Sequence, residues 1–173
     1  MDREEKMQRA IQKFRLPRYH ELPTVELYLD QVTLYLHDHL APLGDVKITS
    51  SMVSNYVKHK LIQRPVKKRY TAEQLAELFF IAVAKNVLPL NDLKVAIKLQ
   101  RQTYSTAVAY DYFVCELENV LAYVFGLKEN LDKIGHDHNE YKKMLRSIIM
   151  TVCYKVYIDM YFADAHASMA DSG

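Results

Sequence analysis

The stretch ITSSMVSNYVKHKLIQRPVKKRYTAEQL, residues 48–75, decides the reading of this chain. Thr49 stands where it can cap a helix whose Met52, Val53, Tyr56 and Val57 share one side, while Ser51, Ser54, Asn55 and Lys58 recur at i, i+3, i+4 and i+7 on the other. One face must pack, and the opposite one is polar and cationic. Residues 64–70 contain Pro65 and no apolar periodicity, which predicts an extended or hairpin-like connection. Thr71 and Gln74 then form a capping-box pattern for AEQLAELFFIAVAKNV, with Leu75, Leu78, Phe79 and Ala82 facing inward.

The same stretch concentrates the charge. The chain has a formal net charge of only +2, yet seven of its 23 basic residues and none of its 21 acidic ones fall between positions 47 and 70. The remainder of the chain is therefore net acidic. A local cationic cluster costs self-repulsion unless it meets phosphate or solvent, so its two readings are a polyanion-binding surface and a solvated loop.

Working outward, 173 residues suit one ordinary domain, and four Gly and five Pro residues in a chain that is 50% hydrophobic favour an all-α protein. A short helix is expected over about residues 3–14, before Pro17. Thr24 is a plausible N-cap for VELYLDQVTLYLHDHL, where Leu29, Val32, Leu36 and Leu40 keep helical spacing until APLGD ends it. Beyond Pro89, Asn91 can cap a further helix, and Ser105 opens a long one whose apolar stripe runs from Tyr110 to Val124 before Gly126. LKENLDKIGHDHNE reads as a loop. YKKMLRSIIMTVCYKVYIDMYFADAH is a final helix apolar almost all round, to be covered either across the core or in a dimer interface. The expected regions are an N-terminal helical arm (1–21), a DNA-binding region (22–102), a C-terminal helical hairpin for packing or dimerisation (103–165) and a disordered tail (166–173).

Helix, tight turn, polar-faced helix, basic connection, helix is the order of a winged helix-turn-helix. Short polar groups on its second helix face base edges in the major groove, and flanking cations hold the phosphates. The candidate base contacts are Ser50, Ser51, Ser54, Asn55 and Lys58. The candidate phosphate contacts are Lys47, Lys60, Arg64, Lys67, Lys68, Arg69 and Tyr70.

Residues 48–97 resemble the DNA-binding end of MerR-type regulators, whose recognition helix also runs into a Tyr, a short turn and Leu-Ile. In that family a wing ends in Arg-Tyr before a capped helix, compare Arg69-Tyr70-Thr71, and a turn like Leu90 to Leu93 follows an apolar helix. The chain from about Leu22 to Tyr161 is similar to small uncharacterised bacterial proteins grouped as domain-of-unknown-function family number 1836. The resemblance implies an all-α, MerR-like fold binding double-stranded DNA as a transcriptional regulator and homodimer. It departs from the MerR pattern in QRPVKKRY, which is short and lacks glycine, so the wing is expected to shrink to a turn. It departs again after residue 103, where two helices and a polar loop replace one long heptad helix and suggest an antiparallel hairpin.

Other signals carry less. His37-Asp38-His39 sits in a predicted helix, where positions i and i+2 diverge, and His136-Asp137-His138 needs further ligands, so no metal site is expected. Cys115 and Cys153 lack a cation or second thiol at ligand spacing and read as buried small hydrophobes, which suits a reducing, cytoplasmic setting. Thirteen tyrosines could line a small-molecule effector pocket, although packing accounts for them more simply. No Walker loop, nucleotide-binding glycine fingerprint, HExxH or nucleophile elbow is present, so neither enzyme activity nor a cofactor is expected. The most apolar run, 147–162, is too short and too charged to span a membrane. The competing functional readings are a protein-interaction module on the same fold and a sensor using the tyrosine-rich half.

Overall fold

A computed structural model of the chain describes residues 1–135 and 138–173. Among them, helix α1 (Arg3–Ile11) leads through a single 3-10 turn to strand β1 (Leu27–Tyr28) and helix α2 (Leu29–Leu40). Helix α3 (Ser50–Lys58), strand β2 (Arg69–Tyr70) and helices α4 (Ala72–Ala84), α5 (Leu90–Thr103), α6 (Thr106–Val124) and α7 (Glu140–Ala170) complete the order. The protein is mostly helical, with one two-stranded antiparallel sheet pairing Leu27 with Tyr70 and Tyr28 with Arg69.

Helix α4 is the centre. Residues 74–79 and 81–84 are all buried, because this helix is covered by α2, α5, α6 and α7. Its start is fixed as the sequence predicts: the Gln74 amide N–H donates to Thr71 Oγ1 (3.3 Å) and the Thr71 N–H donates to Gln74 Oε1 (2.7 Å). Helix α2 turns Val32, Leu36 and Leu40 into the same core. It begins at Leu29 rather than after Thr24, because Leu27 and Tyr28 are extended into the ladder with β2 and Gln31 Oε1 accepts the Tyr28 N–H at 2.9 Å. Helix α5 likewise starts from Pro89, not Asn91, with the Pro89 carbonyl accepting from Asp92 and Leu93. The helix expected over 3–14 ends at Ile11.

The C-terminal half differs in topology from the sequence expectation. Lys142 lies over the Tyr112 ring, Arg146 pairs with Glu116, and Phe125 packs on Tyr157. Partner numbers rise together along both helices, so α6 and α7 run parallel and do not form an antiparallel hairpin. The connection between them is long enough to travel back beside α6. Asn119 holds it there, donating to the Asp132 carbonyl and accepting the Asp132 N–H, both at 3.1 Å, while Arg146 donates to that same carbonyl at 2.9 Å. Helix α7 then runs past the end of α6 to Ala170, through residues expected to fray, and α1 lies along it with Arg3 and Lys6 on Asp164 at 2.8 and 3.2 Å.

The N-terminal arm is stitched to α6. Arg18 makes a two-pronged pair with Glu118 (2.6 and 3.0 Å), Tyr110 Oη donates to the Pro17 carbonyl, and Asp111 accepts the Tyr19 N–H. One hydrophobic core consequently extends from Met7 to Val156, shared by the arm, the central region and the C-terminal helices.

Candidate nucleic-acid interface

Helix α3 is built to present a surface rigidly. Its Thr49 Oγ1 accepts the Met52 N–H at 3.2 Å, and Val53 and Tyr56 are buried at 0% and 6% exposure. Ser51, Ser54, Asn55 and Lys58 are all exposed on the opposite side, with Ser50 exposed at the first turn. The helix ends in a Schellman motif: the Leu61 N–H donates to the Tyr56 carbonyl and the Lys60 N–H to the Val57 carbonyl, while Leu61 is buried. The residue that must adopt the left-handed conformation there is Lys60, at φ 60°.

The connection to α4 is equally tied down. Gln74 Nε2 donates to the Gln63 carbonyl at 3.0 Å, and Arg101 Nη2 donates to the Leu61 carbonyl at 3.2 Å. Arg101 also donates twice to Glu77 Oε1, at 3.0 and 2.7 Å. Burial pushes the Glu77 carboxyl pKa up, against the opposing pull of Arg101. Past Pro65 the chain closes a two-residue turn: the Arg69 N–H donates to the Val66 carbonyl at 2.9 Å, with Lys67 at φ 50° and Lys68 at φ 63°. Positive φ at both central residues is the mark of a type I′ hairpin turn, usually made by Asn-Gly. The three non-glycine residues at positive φ among the described residues are Lys60, Lys67 and Lys68.

Ser54 and Lys58 from α3, Lys60 and Arg64 from the connection and Arg101 from α5 line one open groove of about 540 Å³. Arg101 was not legible as part of this surface, since it lies far along the chain in an unremarkable helical segment. Lys47, Lys67 and Lys68 are exposed outside that groove. Arg69 is exposed on the strand side, where its guanidinium stacks 5.4 Å from the Tyr28 ring and donates to the Tyr28 hydroxyl. Tyr70 is 5% exposed and burial pushes its hydroxyl pKa up; it is a core residue of the sheet and offers nothing to a phosphate. Every ion pair among the described residues draws its cation from outside positions 47–69. Among the described residues, the basic segment has no acidic partners.

Elsewhere, His39 is engaged with its own helix, its Nδ1 2.8 Å from the Tyr35 carbonyl, and His37 is exposed. The second His-Asp-His triplet includes His136 and Asp137, outside the described residues, and among the described residues no three potential ligands gather as a metal site. Cys153 is buried and Cys115 half-buried; burial raises both thiol pKa values, the opposite of an activated thiolate. Tyr110 and Tyr141 line a narrow apolar cavity of about 30 Å³ between α4, α5, α6 and α7. That volume suits a water or two.

Residues 17–113, from the arm through the first turns of α6, match the model of a family described as a domain of unknown function, DUF1836. The chain belongs to that family. The match contains the whole of α3 and the basic connection, while α1 and α7 lie outside it. No curated protein and no solved structure matches the chain.

Proposed function

We propose that this protein binds double-stranded DNA sequence-specifically, as a cytoplasmic, homodimeric transcriptional regulator whose α2 and α3 form a MerR-like helix-turn-helix. The 66–69 turn is its reduced wing. One observation carries the reading: a row of hydroxyl, amide and ammonium groups stands exposed on a helix whose reverse side is locked in the core, and its Ser54 and Lys58 share a groove with Lys60 and Arg64, which among the described residues have no acidic partner. Short polar groups discriminate base edges, and Asn55 is the side chain suited to bidentate pairing with adenine. Lys60 and Arg64 would flank α3 on the phosphates, which fixes position without reading sequence, while Arg101, paired with Glu77, holds the connection in place. Lys47, Lys67, Lys68 and Arg69 extend the cationic surface beyond the groove.

The two roles separate by mutation. Asn55→Ala should flatten the preference among duplex sequences, removing about 1–3 kcal/mol of discrimination at one position. Lys60→Ala with Arg64→Ala should weaken all duplexes about equally and make the salt slope shallower by about 0.9 for each phosphate that is no longer neutralised. Binding of a randomised duplex pool to each variant measures both. The reverse pattern would contradict the assignment.

A further inference from the structure

Helix α7 leaves one face uncovered. Tyr154 (46% exposed), Ile158 (51%), Tyr161 (38%), Phe162 (54%) and Met169 (75%) fall within an arc of about 100° at helical spacing. The helix buries Ile149, Val152, Cys153 and Val156 on its other side. Between Ser147 and Met169 no charged side chain falls inside the arc; Lys155 and Asp159 pair with each other along its edge at 2.7 Å. The other edge is bounded by α1, whose Arg3 lies 4.5 Å over the Tyr161 ring.

The arc is also self-complementary. Turned about a two-fold axis through Ile158, the helix places Tyr154 against the partner's Phe162, Thr151 against the partner's Ala165, and Ser147 against the partner's Met169. The aromatic Tyr154 thus meets an aromatic, the small residues Thr151 and Ser147 meet Ala165 and Met169, and Tyr161 falls opposite Lys155, so the same patch serves both sides as an isologous interface requires. At roughly 150–250 Å² for each aromatic side chain, the half-open residues leave several hundred Å² of continuous apolar surface on each protomer. That exceeds scattered surface hydrophobes and approaches the roughly 800 Å² per partner of a standard specific interface.

We infer that a second copy of this chain covers this face, the two α7 helices crossing antiparallel at Ile158. The inference names the surface for the pairing invoked in the DNA reading and rests on that reading only for its purpose, since it is tested without DNA. It also lies outside the residues shared with the family model.

Sedimentation equilibrium of the full chain should return twice its 20.2 kDa mass. Ile158→Asp should return the single mass with unchanged helical circular dichroism, since the side chain is half exposed and its removal does not open the core. In a Cys115→Ser background, oxidising an equimolar mixture of Tyr154→Cys and Phe162→Cys chains should give the mixed disulfide in preference to either self-linked product. A wild-type monomer at micromolar concentration, an Ile158→Asp chain that remains dimeric, or self-linked 154–154 product would each overturn the inference. A stable dimer without DNA affinity would defeat the DNA reading alone, whereas a DNA-binding monomer would defeat this inference and the homodimer of that reading while leaving its DNA contacts standing.

Discussion

Three lysines bear the left-handed backbone that glycine or asparagine ordinarily takes: Lys60 at the end of α3, and Lys67 and Lys68 in the hairpin turn. The left-handed conformation costs an L-residue roughly 1–2 kcal/mol. Retaining lysine at these positions sets stability against charge. Lys67→Asn with Lys68→Gly should therefore stabilise the fold, by about 1 kcal/mol or roughly 2–4 °C in melting temperature, while weakening binding to every duplex. Calorimetry and a duplex titration on the same preparation check the opposed signs; a variant that is both less stable and equally good at binding DNA would refute the argument. The charges themselves were plain in the sequence. Their backbone strain was not, because the Lys-Lys pair carries none of the Gly or Asn chemistry by which a type I′ turn is recognised.

Caps and periodicity made most elements legible. Thr49, Thr71 with Gln74, and Ser105 start α3, α4 and α6 as read, because each side chain meets a free N–H three residues on. Three features escaped. Leu27 and Tyr28 match a helical pattern as well as a strand, and only the ladder to β2, distant along the chain, decides between them. The parallel course of α6 and α7 depends on a connection folded back by Asn119 and Arg146, long-range contacts that no local pattern encodes. Tyr70, at the end of a cationic run, reads as surface but fills the sheet's inner side. The arm that precedes β1 carries its own pH signature: Arg15 donates to Glu21 at 2.7 Å and, with the Arg18 N–H, draws that carboxyl from 4.5 down to about 2. Because the folded value is depressed, the contribution is complete above the unfolded value and disappears as pH falls toward 2. Glu21→Gln should therefore lower stability at neutral pH and leave it unchanged below about pH 2, so that stability falls less steeply between those limits than in the wild type. Urea unfolding followed by circular dichroism across that range reads the difference; an equal loss at every pH would contradict it.

At the scale of the molecule, a single core runs from the arm to α7, so the exposed row on α3 rides on a body without independent parts. The ion pairs among the described residues, such as Glu118 with Arg18, Glu116 with Arg146 and Asp164 with Arg3 and Lys6, all take their cations from outside the segment from Lys47 to Arg69, which stands as an uncompensated field. A net charge of +2 conceals that division. The central claim is that this field meets the phosphates of a duplex, and counterion release gives it a number. Affinity for duplex DNA should be measured against salt concentration. A two-fold complex with roughly eight phosphate contacts gives a log-log slope near −7; a slope near zero, or no affinity for any duplex at low salt, would contradict it.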